Sequence, residues 1–137
     1  MPFLDYSLEA EEELDALYDE DVDHAALIDE LLWQLEENPG LLDELCREKH
    51  HALHTPTFQV KQFREVWKDG YNVFILKVWT GDGVSIPHRL IYGYHGQLDR
   101  YYVLTVMPRG VNYECDQNFI DKVCRIYDRI GIPAYRQ

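Results

Sequence analysis

The apolar residues of this chain change their spacing near residue 56, and that change limits the folds open to it. Before it the spacing is helical. Ser7 is a good N-cap, followed by Ala10, Leu14, Leu17 and Tyr18 on one helical stripe. Asp19-Glu20-Asp21 interrupts that helix, and Asp23 is placed to cap a second. In the second, Leu27, Ile28, Leu31, Leu32 and Leu35 form a broad stripe of the kind that packs on a sheet. Asn38-Pro39-Gly40 breaks the pattern, and Pro39 suits the first turn of a shorter segment over Leu41 to Lys49. Phe3 to Ser7 alternates as a short opening strand would.

After residue 56 the period becomes that of strands. His50 to Pro56 reads as a loop. Phe58 to Trp67 fits either period, because Phe58 and Val60 alternate while Val60, Phe63 and Trp67 also suit a helix. Three β-rich runs follow, Asn72 to Trp79, Ile86 to Tyr94 and Arg100 to Met107, divided by turn signals at 81–83 and 95–99. A final helix, capped by Asp116 or Asn118, carries Phe119, Val123, Ile126, Tyr127 and Ile130 on one face and stops at Gly131. The order predicts one α+β domain over residues 1–137. In it a curved antiparallel sheet of about four strands carries an N-terminal helical hairpin on one face and ends in a C-terminal helix.

The net charge of −12 is unevenly spread. Residues 1–50 carry 17 Asp/Glu against 2 Lys/Arg, whereas residues 51–137 carry 8 against 11. An acidic average disfavours general nucleic-acid affinity, since phosphate contacts need cations, but a basic face on the second half remains open. The acidic excess belongs, on this reading, to the solvated outer faces of the hairpin. No apolar run approaches the length of a membrane span. Met1 to Asp5 lacks the basic patch and apolar stretch of a signal peptide, so the expected location is the cytoplasm, away from membranes. Cys46, Cys115 and Cys124 lack metal-type spacing and read as reduced, packed thiols. His50, His51 and His54 read as part of a solvated loop, and neither a metal nor a cofactor is expected.

Cations and tyrosines on successive strands are the residues open to chemistry. Lys77 lies near the end of one strand, Arg89 on the next and Arg109 just beyond the third, with Tyr113 four residues later. Alternation puts Arg89 and Ile91 on one face, and Leu90 and Tyr92 on the other. An arginine between apolar neighbours in a central strand needs a partner, either an internal carboxylate or a ligand.

The segment from Gly70 to Tyr113 resembles the RelE/ParE superfamily of bacterial type II toxins. The resemblance lies in Phe74-Ile75-Leu76-Lys77, in His88-Arg89-Leu90-Ile91-Tyr92 and in Met107-Pro108-Arg109-Gly110-Val111-Asn112-Tyr113. More loosely, it extends to the opening strand, the helical hairpin and the last helix. Where members often carry a second lysine, two residues before the first, this chain has Ile75, and His88 stands where a tyrosine is usual. The resemblance implies a toxin of a type II toxin–antitoxin system that cleaves mRNA on the ribosome without a metal and is silenced by a cognate antitoxin. It implies that Arg89 holds the phosphate and that Arg109 stabilises or protonates the leaving group. Tyr113 would orient the nucleotide, and Lys77 would act as base or electrostatic support. Lys61, Arg64 and His88 would bind substrate. The alternative on the same fold is a non-catalytic binding module, either a ParE-like gyrase inhibitor or a lapsed toxin that still engages an antitoxin.

Overall fold

The computed structural model of the chain describes residues 2–51, 54–108 and 116–134. They form an α+β fold around one mixed sheet of six strands in the order β1-β6-β5-β4-β3-β2. The strands are β1 (Phe3–Tyr6), β2 (Lys49–His51), β3 (Phe58–Gln62), β4 (Val73–Val78), β5 (Arg89–His95) and β6 (Arg100–Met107). The helices are α1 (Leu8–Glu20), α2 (Val22–Glu37), α3 (Pro39–Leu42), α4 (Arg64–Trp67) and α5 (Gln117–Ile130).

The strand count exceeds the expected four for two reasons. Lys49–His51, expected as the end of the third helical segment and the start of a loop, pairs antiparallel with Phe58–Val60. Its Lys-His-His sequence carries no apolar alternation, because a short edge strand needs little apolar surface. The ambiguous Phe58–Trp67 run divides instead of choosing, into β3 and the one-turn α4. Nor is the sheet wholly antiparallel. The chain leaves β1, crosses one face as the α1–α2 hairpin, and β6 returns beside β1 in parallel.

Ser7 fastens that crossover. Its N–H donates to the Val103 carbonyl at 2.9 Å and its hydroxyl to the Leu104 carbonyl at 2.5 Å. The same hydroxyl accepts from the Ala10 N–H at 3.0 Å, as an N-cap should. Asp21, not Asp23, caps α2, accepting from the His24 N–H at 3.2 Å. The expected third segment is shorter than Leu41–Lys49: α3 gives way to a 3-10 turn over Asp43–Cys46. Asp116 caps α5, and Gly131, at φ 87°, closes it.

Each face of the sheet has its own core. The α1–α2 hairpin and α3 bury Ile28, Leu31, Leu35 and Leu42 against Phe58, Val60, Phe74, Leu76, Leu90 and Tyr92. On the other face α5 buries Phe119, Val123, Ile126 and Tyr127 against Phe63, Val73, Ile75, Ile91 and Leu104. Close approach of α5 depends on Gly93, where an added Cβ would lie 3.1 Å from Ile132 Cδ1 and 3.2 Å from the Tyr127 ring. A bulge in β6 shifts the register between Ile91, opposite Thr105, and Tyr92, opposite Val103. Among the described residues no helix is long and apolar enough to cross a membrane.

Candidate active site

The α5 face changes character along its length. Phe63, Val73, Ile75 and Ile91 are fully buried under α5. One step further along each strand on the same face stand Lys61, Lys77 and Arg89, all half-buried. Register explains their meeting. Leu76 pairs with Leu90 across β4 and β5, so the residues that follow Leu76 and precede Leu90, Lys77 and Arg89, face each other on the next rung. On the other side Lys61 pairs with Ile75, and Gln59 with Lys77, so Lys61 is diagonal to Lys77 on the shared face. Arg89 is opposite Met107 on β6, the strand that runs on toward Arg109.

Burial and neighbouring charge together alter Lys77. Its amino group sits below the ordinary lysine range, first because burial disfavours the ammonium, then because of the charges of Arg89 and Lys61 and a side-chain hydrogen bond with Lys61. Among the described residues, neither Lys61 nor Lys77 has a carboxylate partner. A half-buried group of cations without counter-carboxylates on its lysines is poised for an anion, and a phosphodiester has the charge and the oxygens to fill it.

The other residues expected in the site divide. Arg109 and Tyr113 lie outside the described residues. Arg64 is exposed on α4, with its side chain in none of the described ion pairs. His88 is displaced by alternation: as Arg89's neighbour it faces the hairpin side, 6% exposed, with Nε2 3.8 Å from the Glu20 carboxylate of α1. His88 is therefore not brought together with Lys61, Lys77 and Arg89, which lie on the opposite face. It lines a cavity of about 170 Å³ with Glu13, Leu17, Glu20, Val106 and Pro108. Gln59 was missed by the sequence reading. The alternation Phe58-Gln59-Val60-Lys61 held the signal, since Gln59 and Lys61 share the face opposite two buried apolar residues. The histidine cluster also differs from a solvated loop: His51 is 9% exposed and stacks on Phe58 at 4.2 Å.

The acidic surface lies on the far side of the sheet. Between α1 and α2 a cleft of about 340 Å³ is lined by Glu11, Asp15, Asp29 and Glu36 over Tyr6, Leu14 and Leu32. Tyr6 hydrogen-bonds Glu36, and Tyr18 hydrogen-bonds Asp29. Glu11, Asp15, Asp29 and Glu36 thus share a cleft on the hairpin side, while Glu9 and Glu13 of α1 reach cations of α5. Comparison with known proteins brings no match, whether to a protein-family model, a curated protein or a solved structure.

Proposed function

We propose that the chain is a RelE-like toxin, a ribosome-dependent endoribonuclease that cleaves mRNA and is held in check by an antitoxin. The carrying observation is the grouping of Lys61, Lys77 and Arg89 on one half-buried end of the α5 face, with the Lys77 amine depressed. RNA brings its own nucleophile in the 2′-hydroxyl, so such a site needs only a base, an acid and positive charge. In the proposed reaction Lys77, as the neutral amine, takes the 2′-hydroxyl proton. The 2′-oxygen bonds to phosphorus, the bond from phosphorus to the 5′-oxygen breaks, and that oxygen leaves protonated by a cationic acid, the role held out for Arg109. The products are a 2′,3′-cyclic phosphate and a 5′-hydroxyl. Arg89 holds the phosphoryl oxygens, whose negative charge grows toward the transition state. Tyr113 orients the nucleotide.

Ribosome-dependent cleavage of a defined mRNA, measured beside thermal melting, tests this reading. Arg89→Ala should lower the cleavage rate about 10²–10³-fold, the usual effect of losing one such donor. It should melt like the wild type. Arg89→Lys should restore only part of the rate, because an ammonium lacks the planar fork that grips two oxygens. Undiminished cleavage in Arg89→Ala, or no cleavage by the wild-type protein on ribosomes, would sink the nuclease reading in favour of a binding module.

A further inference from the structure

We propose that Lys61, reaching across from β3, is the positioning residue that makes Lys77 a usable base, supplying from a neighbouring strand the second cation that β4 itself does not carry. The proposal rests on the nuclease reading and adds to it a division of labour between the two lysines. On β4 the position two residues before Lys77 is Ile75, which is fully buried and belongs to the core under α5. A lysine there would have to leave its charge unpaired in that apolar core, which burial strongly opposes. The residue paired with Ile75 on β3 is Lys61, half-buried and free of that core. The sheet therefore keeps an apolar anchor at Ile75 and carries the neighbouring cation one strand to the side.

The physics of the pair has a definite direction. An ammonium at Lys61 repels an ammonium at Lys77, and a neutral amine at Lys77 accepts a hydrogen bond from Lys61. Both effects favour the deprotonated Lys77. The charges acting on Lys77 are Arg89 from β5 and Lys61 from β3, and none comes from the described residues of α4 or α5. Arg89 is committed to phosphate in the proposed reaction. A bound phosphate would also offset the repulsion that Arg89 exerts on Lys77. Burial of Lys77 and the charge of Lys61, which stands on the far side of Lys77 from Arg89, then remain to favour the neutral amine, and of the two only Lys61 acts through a charge.

The experiment reads Lys77 directly. The pH dependence of Lys77 acetylation by acetic anhydride, quantified by peptide mass spectrometry, is compared in wild type, Lys61→Gln and Lys61→Arg, with exposed Lys68 as internal reference. Lys77 should titrate below Lys68 in the wild type and in Lys61→Arg, and should move up toward it in Lys61→Gln. Lys68 itself should not move. In the ribosome-dependent cleavage assay the rising limb of the pH–rate profile should shift to higher pH in Lys61→Gln. A shift of one unit reads as about a tenfold slower reaction at fixed pH on that limb, regained by raising the pH. A merely structural Lys61 would lower the rate equally at all pH values and leave Lys77 where it was. If Lys77 titrates alike in wild type and Lys61→Gln, the proposal is overturned whatever happens to cleavage. If Lys77 moves as expected but the wild type cleaves no RNA, the nuclease reading fails and takes Lys77's role as base with it, while the electrostatic coupling stands.

Discussion

The two faces of the sheet begin alike and end differently. At Phe74, Leu76 and Val78 the hairpin face stays buried along the whole of β4, as it does at Leu90 and Tyr92 of β5 and at His88 just before it. On the α5 face burial is complete at Val73, Ile75 and Ile91 and gives out at Lys77 and Arg89. A 16-residue helix, a 13-residue helix and α3 cover the first face, and a single 14-residue helix covers most of the second. The hairpin face is therefore a core at the end where the α5 face carries Lys77 and Arg89. The other is a core that opens into a charged shelf. Strand alternation sets this division: Lys77 and Arg89 share the α5 face with buried Val73, Ile75 and Ile91, and the even-numbered residues of β4 and β5 face the hairpin.

The largest expected effect tests that division. Leu31 on α2 is fully buried in the hairpin-face core. Leu31→Ala should cost about 2–5 kcal/mol of stability through lost burial and the cavity left behind. Arg89→Ala, one sheet thickness away, should cost little stability and most of the activity. Denaturant melts of both variants give the comparison. A large stability loss in Arg89→Ala would mean that the shelf is part of the core and the two faces do not divide as described.

Next in size is the strut that joins the faces around the sheet's open side. Past Val103, β6 has no β1 neighbour, and Glu13 of α1 takes over that edge. Its carboxylate accepts from the Thr105 hydroxyl at 2.6 Å and from the Val106 N–H at 3.2 Å, and pairs with Lys122 of α5 at 2.8 Å. Thr105 is fully buried, so Glu13→Ala leaves a buried hydroxyl without its acceptor. The expected cost is about 1–3 kcal/mol. Glu13→Gln, which still accepts from Thr105 but loses the ion pair, should fall between. Equal stability of all three proteins would show that water replaces Glu13 and that the faces are held together elsewhere.

Much of the hairpin face could be read in the sequence, because helical stripes and a long apolar core leave a strong periodic signal. Ile28, Leu31, Leu32 and Leu35 sit where their spacing put them, and Ser7 and Asp116 cap as their positions suggested. The meander β4-β5-β6 was equally legible from its turns. The sheet edges were not. β2 is three polar residues, and β1 pairs with a strand about a hundred positions away, a register that no local pattern encodes. The site shows the same division. That Arg89 faces away from Leu90 follows from alternation, and so does the place of His88, on the same face as Leu90. The company of Lys61 does not follow, because it depends on how β3 and β4 slide past each other. Arg109 and Tyr113 rest on the resemblance alone.

A smaller effect should distinguish a shelf built for a ligand from one built for stability. The Lys77 amine is depressed in the folded protein, so folding disfavours its protonated form. With the folded value below the unfolded one, the penalty is complete below the folded value. It is relieved as pH rises toward the ordinary lysine value of about 10.4. Lys77→Gln should therefore melt slightly above the wild type near neutral pH, and the difference should shrink as pH rises past 10. A gain in stability with loss of cleavage is the signature of a strained functional group. A fall in melting temperature would mark Lys77 as a structural residue and remove the distinction between the shelf and the core beneath it.

The smallest effect concerns a second bridge between the layers, whose cation is more exposed than Lys122. Arg129 near the end of α5 grips the Glu9 carboxylate of α1 with two nitrogens, at 2.6 and 2.5 Å. Those hydrogen bonds hold the Glu9 carboxyl at about 2, against an ordinary value of 4.5. A carboxylate whose folded value lies below its unfolded one stabilises the fold fully above the unfolded value. That contribution fades as pH falls through the window from about 4.5 to about 2. Solvent and salt screen the pair, since Arg129 is half exposed, so its weight is that of a surface interaction even with two-pronged geometry. Wild type and Glu9→Gln should thus differ modestly in melting temperature at pH 6 and converge as the pH approaches 2, with the gap at pH 6 narrowing in high salt. A gap that persisted at pH 2 would mean that Glu9 acts through packing and not through its charge. The hairpin and α5 would then be joined by contact alone, and acid would loosen them no faster than it loosens the rest of the fold.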